Sequence, residues 1–94
     1  MVLTIYRKIK EKLARKHQVS VPEVHQAWMN RSDVLLEEVR DKNQGDNPRY
    51  WFISETDSGR LLKVVFTEDP TELFPVIITA YGPNAKEQKI YEEA

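Results

Sequence analysis

Arg60 and Lys63 stand three positions apart at the head of a β-rich run, and Tyr81 and Gly82 close the next such run. Arg60 and Lys63 offer positive charge, Tyr81 a phenol, and Glu87 or His17 a proton acceptor. Cations, a weak acid and a base are the groups that acid–base chemistry beside a developing negative charge requires. Each also has a plainer role. Arg60 fits a solvated turn, and Lys63 fits the polar position of a half-exposed strand between Leu62 and Val64. Tyr81 shares a strand face with Thr79 and Ile77, where it suits a half-buried ring with a wet hydroxyl or a ring that stacks a base. His17 closes a helix, where a cation favours the dipole.

These residues must be placed by a small fold. The chain has 94 residues, which predicts one domain over 1–94. A chain this short buries only about 60–65% of its unfolded surface. Cysteine is absent, which excludes disulfides and thiolate metal sites. His17 and His25 fall on different predicted helices with no obvious further ligand, so neither a metal nor a cofactor is expected. The apolar run in MVLTIYRK is too short for a secretory or membrane-spanning segment, and the expectation is a soluble cytoplasmic protein without membrane partners.

Charge is uneven. Residues 1–17 carry six basic residues against Glu11, a balance of +5, while the rest carries eight basic and fourteen acidic residues. The basic end is either a solvated helix face or a surface for RNA or an acidic partner.

Ile5, Tyr6, Ile9 and Leu13 recur at helical spacing and predict a helix over 4–16. Ser20 and Glu23 form a capping box that opens a second helix, with Val21, Val24 and Trp28 as its apolar stripe. Residues 34–39 read as a strand or a short helix, with a strand preferred, and 40–48 as a polar loop. Residues 49–56 and 60–67 read as a hairpin closed at 57–59, with Gly59 suited to a positive φ. A further strand is expected at 76–81 and a helix over 84–92. The prediction is an α+β domain with two N-terminal helices, a three- to four-stranded antiparallel sheet in sequential order, and a C-terminal helix. The 49–56 strand is apolar on both faces, which invites a homodimer or another covering partner.

RKHQVSVPEVHQAW, then GRLLKVVFTE, IITA and EQKIYEE, together resemble BrnT-type toxins of the RelE superfamily, small bacterial ribonucleases paired with an antitoxin. The resemblance covers residues 15–28 and 49–93. Lys16 and His17 match the family's Lys-His pair, with Gln18 where Gly is usual; Gly59 and Arg60 match its hairpin, Thr79 and Ala80 its Ser-Ala, and Glu87 and Tyr91 its last helix. The family's Arg-Arg pair is here Tyr81 and Gly82.

The resemblance implies metal-independent endoribonuclease chemistry at Arg60, Lys63, Tyr81, Glu87 and His17, and RNA binding by Lys16, Arg49 and Lys86. It also implies an acidic antitoxin-like partner. Without the Arg-Arg pair, the implied enzyme is weak or degenerate, or the scaffold serves as a non-catalytic binding module. Short proteins of this appearance also carry the name ADP-ribosyl-dinitrogen-reductase hydrolase, but that chemistry needs a larger, carboxylate-rich two-metal fold.

Overall fold

The computed structural model describes residues 3–38 and 47–94. Val39 of the predicted strand and residues 40–46 of the predicted loop lie outside them. The described chain runs through helix α1 (Arg7–Lys12), which widens to a π-helical turn over Leu13–His17, then helix α2 (Val21–Met29). Strands β1 (Leu36–Glu37), β2 (Arg49–Glu55), β3 (Leu61–Thr67) and β4 (Val76–Tyr81) follow, and helix α3 (Ala85–Glu92) ends the chain. The strands form one antiparallel sheet in the order β1-β2-β3-β4. The α+β architecture expected from the sequence is therefore observed.

The π-helical turn ends at Gln18, whose φ of 53° places it in the left-handed region. Its N–H and that of Val19 both donate to the Leu13 carbonyl, so the wide turn is closed by the chain that leaves it. Ser20 and Glu23 form the expected capping box: Glu23 N–H donates to Ser20 Oγ at 3.3 Å, and Ser20 N–H donates to Glu23 Oε1 at 2.9 Å. Gly59 closes the hairpin with φ 88°.

Strand alternation divides the sheet into two unlike faces. On the first, Phe52, Leu62, Val64, Phe66, Ile77 and Ala80 pack beneath Leu13, Val24, Ala27 and Trp28 from the N-terminal helices. Trp28 meets Phe52 and Phe66 edge-on, with ring centroids at 5.7 and 4.9 Å. Phe52 is wholly buried, and its truncation to Ala would cost about 3–5 kcal/mol.

The opposite face carries Trp51, Ile53, Lys63, Val65, Thr79 and Tyr81, because Ile53 pairs with Lys63 and Lys63 with Tyr81. Helix α3 crosses this face. Tyr91 meets Trp51 at 5.8 Å between ring centroids, and Lys63 Nζ lies over the same indole. Trp51 is thus buried within one chain, whereas Ile53 on the same face is only half-buried.

Two features depart from the sequence reading. β1 is only two residues long, because the Val34 N–H is bonded by Ser32 Oγ and its carbonyl by the Tyr91 hydroxyl, which holds that segment off β2. β4 carries one extra residue, Ile78, opposite the Val65–Phe66 step, which turns Ile77 onto the helical face with Phe66 rather than onto the face of Thr79 and Tyr81 that the sequence predicts, while Thr4 bridges its outer edge.

Candidate functional site

Four of the five predicted catalytic residues meet at one end of the second face. Lys63 projects from the middle of β3 and Tyr81 from the end of β4 directly beside it. Glu87 comes from the first turn of α3, where Asn84 and Glu87 form a second capping box: Glu87 N–H donates to Asn84 Oδ1 at 2.7 Å and Asn84 N–H to Glu87 Oε1 at 3.0 Å. One carboxylate oxygen is thereby committed to the helix. The other, Oε2, accepts from Lys63 Nζ and from the Tyr81 hydroxyl, each at 2.9 Å. The π-helical turn carries His17 to the strand end, where its ring lies 5.5 Å from that of Tyr81.

Lys63 is sandwiched. Its Nζ sits 4.4 Å above the Trp51 ring and 5.7 Å from the Tyr81 ring, positions that favour a cation. Glu38 Oε1 lies 4.0 Å away, and the lysine side chain is only 9% exposed.

The protonation states follow from these contacts. For Lys63, burial is the largest influence and pushes its pKa down, but the Glu87 carboxylate and the Tyr81 oxygen outweigh it, so it is raised and the ammonium stays charged. Burial likewise pushes Glu87 up, yet the Asn84 N–H, Lys63 and Tyr81 together hold it below the ordinary carboxylate value. Tyr81 is raised by burial and by Glu87, against the opposing pull of Lys63, and keeps its proton at neutral pH. His17 is lowered, first by burial and then by Lys12 and Lys16.

Among the described residues, the His17 imidazole makes no hydrogen bond. At neutral pH the cluster therefore holds a free neutral base, a protonated phenol and a captured ammonium. Glu87, which already accepts from three donors, is a positioning group rather than a free base.

Arg60 does not join this cluster. Its guanidinium donates to the carbonyls of Gln18 at 2.8 Å and His17 at 3.0 Å, and pairs with Glu23 at 3.1 Å. It ties the hairpin to the carbonyl end of the first helix, where a cation is favoured. Of the predicted RNA-binding residues, Lys16 and Lys86 are exposed and adjoin His17 and Glu87 in sequence. Arg49 lies opposite Thr67, four residues along β3 from Lys63, which is about 13 Å at the usual strand rise.

Sequence reasoning missed Glu23, Trp51, Glu38 and Asn84 as members of these networks. The pattern Asn84-x-x-Glu87 carried a helix-start signal equivalent to that of Ser20-x-x-Glu23. Among the described residues, no three His, Asp or Glu side chains gather as metal ligands would, and no helix is long and apolar enough to cross a membrane. Compared with protein-family models and with curated proteins, the chain matches none.

Proposed function

We propose that this chain is a divergent BrnT/RelE-like toxin-fold protein, of the kind paired with an acidic antitoxin, whose ribonuclease centre is degenerate. Metal-free RNA cleavage needs a base for the 2′-hydroxyl proton, an acid for the leaving oxygen, and cations for the crowded phosphorane. Neutral His17 suits the first role and the Tyr81 phenol the second. The third role is the weak one. The observation that carries this reading is the shared acceptor: Glu87 Oε2 takes both Lys63 and Tyr81 at 2.9 Å, so the one cation inside the cluster is already neutralised. Arg60 is equally committed, to Glu23 and two backbone carbonyls.

Slow or undetectable cleavage of RNA by the purified protein is expected. Tyr81→Arg with Gly82→Arg adds two cations able to make paired hydrogen bonds to phosphate. A side chain at position 82 meets no atom within 4 Å of its Cβ, so the substitution fits. This variant should bind RNA more tightly and cleave it faster than the wild type. Removal of one transition-state donor commonly costs about 10²–10³ in rate, which sets the scale of any gain. Robust wild-type cleavage that survives the combined loss of Arg60 and Lys63 would overturn the assignment.

The same ion pairs favour a second reading, a binding module without chemistry. Arg7, Lys8, Lys10, Arg15 and Lys16 are exposed on the first helix and its wide turn, a surface complementary to an acidic partner or to RNA. Under this reading His17→Ala and Tyr81→Phe change nothing in an RNA-cleavage assay, whereas a degenerate nuclease loses its residual rate.

A further inference from the structure

The edge of β2 is open where β1 ends. Glu38 N–H donates to the Arg49 carbonyl, and Thr56 N–H donates to the Arg60 carbonyl. Odd-numbered residues of β2 therefore turn their backbone groups toward β1, and even-numbered ones toward β3. β1 pairs only with Tyr50 and Trp51. At Glu55 the edge is closed by the Asn30 side chain, whose amide donates to the Glu55 carbonyl at 2.9 Å. Between them, the Ile53 N–H and carbonyl face outward with no partner among the described residues.

Val34 would be the next pairing residue, but Tyr91 and Ser32 hold it away. The gap is a groove of about 670 Å³, lined by Ser32, Ile53, Ser54, Glu55, Asp57 and Tyr91 among others. Ser54 is only 7% exposed, and its hydroxyl is buried with no hydrogen-bond partner among the described residues. An unsatisfied buried hydroxyl and an unpaired strand edge, in the same groove, both lack a polar partner.

We infer that this groove binds a short extended segment of a partner chain that carries arginine or lysine. Backbone pairing at Ile53 would supply the missing ladder bonds, as in strand addition to a sheet edge. Residues two apart on an added strand share a face, so a residue paired with Ile53 brings its second neighbour opposite Glu55. Glu55 and Asp57 are both exposed, and one oxygen of Asp57 is already taken by Asn30. A cationic side chain there gains an opposite-charge cross-strand pair. The groove shares no lining residue with the cluster around Lys63, and the inference does not depend on the proposed RNA chemistry.

The test uses the full chain and the capped peptide Arg-Val-Arg-Val-Val, followed by fluorescence anisotropy and by amide chemical shifts. The last valine of the peptide pairs with Ile53 and its arginines fall opposite Glu55 and Asp57, clear of Leu36 on Trp51. Binding is expected with the largest shifts at the Ile53 and Ser54 amides. Glu55→Gln with Asp57→Asn should weaken it at least about fivefold, as loss of charged cross-strand pairs would. Methylation of the last valine's backbone nitrogen should weaken it further. Equal binding of the peptide with glutamate in place of both arginines, shifts confined to another surface, or free arginine binding as tightly as the peptide would each overturn the proposal.

Discussion

Arg60 and Lys63 lie three residues apart on the same β3 arm, and each is captured by the glutamate at the third position of a capped helix, Glu23 of α2 and Glu87 of α3. The two captures have different consequences. Arg60 remains 36% exposed, spreads its donors over Glu23 and two helix-end carbonyls, and clasps the hairpin to the helical layer. Lys63 is 9% exposed, lies between two aromatic rings, and shares its carboxylate with a phenol beside a free histidine. The sequence motif is the same in both, a polar cap followed three residues later by glutamate. Burial and neighbours make one a clasp and the other an acid–base cluster.

The largest expected difference is in stability. Glu87→Ala removes a cap partner, the Tyr81 acceptor and the nearest counter-charge of a buried ammonium, and should cost about 2–4 kcal/mol. Glu23→Ala leaves Arg60 its two carbonyls and more water, and should cost about 1–2 kcal/mol. Urea denaturation of both variants checks the order. Equal losses would show that Lys63 is no more dependent on its partner than Arg60.

Acid sensitivity is the next effect. Glu23 is held below the ordinary 4.5 chiefly by the Ser20 N–H, against burial and with help from Arg60. Glu87 is lowered from the same value despite burial. A carboxylate whose folded pKa lies below its unfolded one contributes stability that is complete above the unfolded value and is lost as pH falls through the folded one. Stability should therefore decline below about pH 4.5, and Glu87→Gln or Glu23→Gln should each flatten that decline in thermal melts. His17 adds a separate decline: its lowered pKa means the unfolded chain takes the proton more readily, so stability falls as pH drops below 6.5, and His17→Gln should remove that limb.

The smallest effect concerns the joint beneath Arg60. Gln18 adopts φ 53°, a conformation that strains a residue with a Cβ, although its side chain recovers a bond to the Arg15 carbonyl at 3.1 Å. Gln18→Gly keeps the carbonyl that Arg60 needs. It should gain about 0.5 kcal/mol in melts without disturbing the clasp.

What was legible in the sequence was local. The Ser20 and Glu23 cap, the turn at Gly59, the three long strands and their order all rest on residues within one or two turns of each other. The grouping of Lys63, Tyr81, Glu87 and His17 was also anticipated, but through a family resemblance rather than through spacing. The same resemblance, through the Gly59 and Arg60 hairpin, also places Arg60 in the site. It is separated from it by the capture of its guanidinium across more than 35 residues by Glu23, a contact that leaves no local pattern. The shortness of β1 was equally hidden, since it depends on the Tyr91 hydroxyl reaching Val34 from the far end of the chain.

The central claim, that Glu87 withholds Lys63 from phosphate while Glu23 and two carbonyls hold Arg60, is tested most directly by the salt dependence of RNA affinity. Single-stranded RNA binding should be measured from low to physiological salt for the wild type and for Glu23→Gln with Glu87→Gln, which keeps residues suited to both capping boxes. Each cation newly engaging a phosphate steepens the slope of log affinity against log salt by about 0.7. The account predicts tighter binding by the variant and a slope steeper by about 0.7 from the released Lys63, because Arg60 keeps its two carbonyls. An unchanged slope and affinity would contradict it.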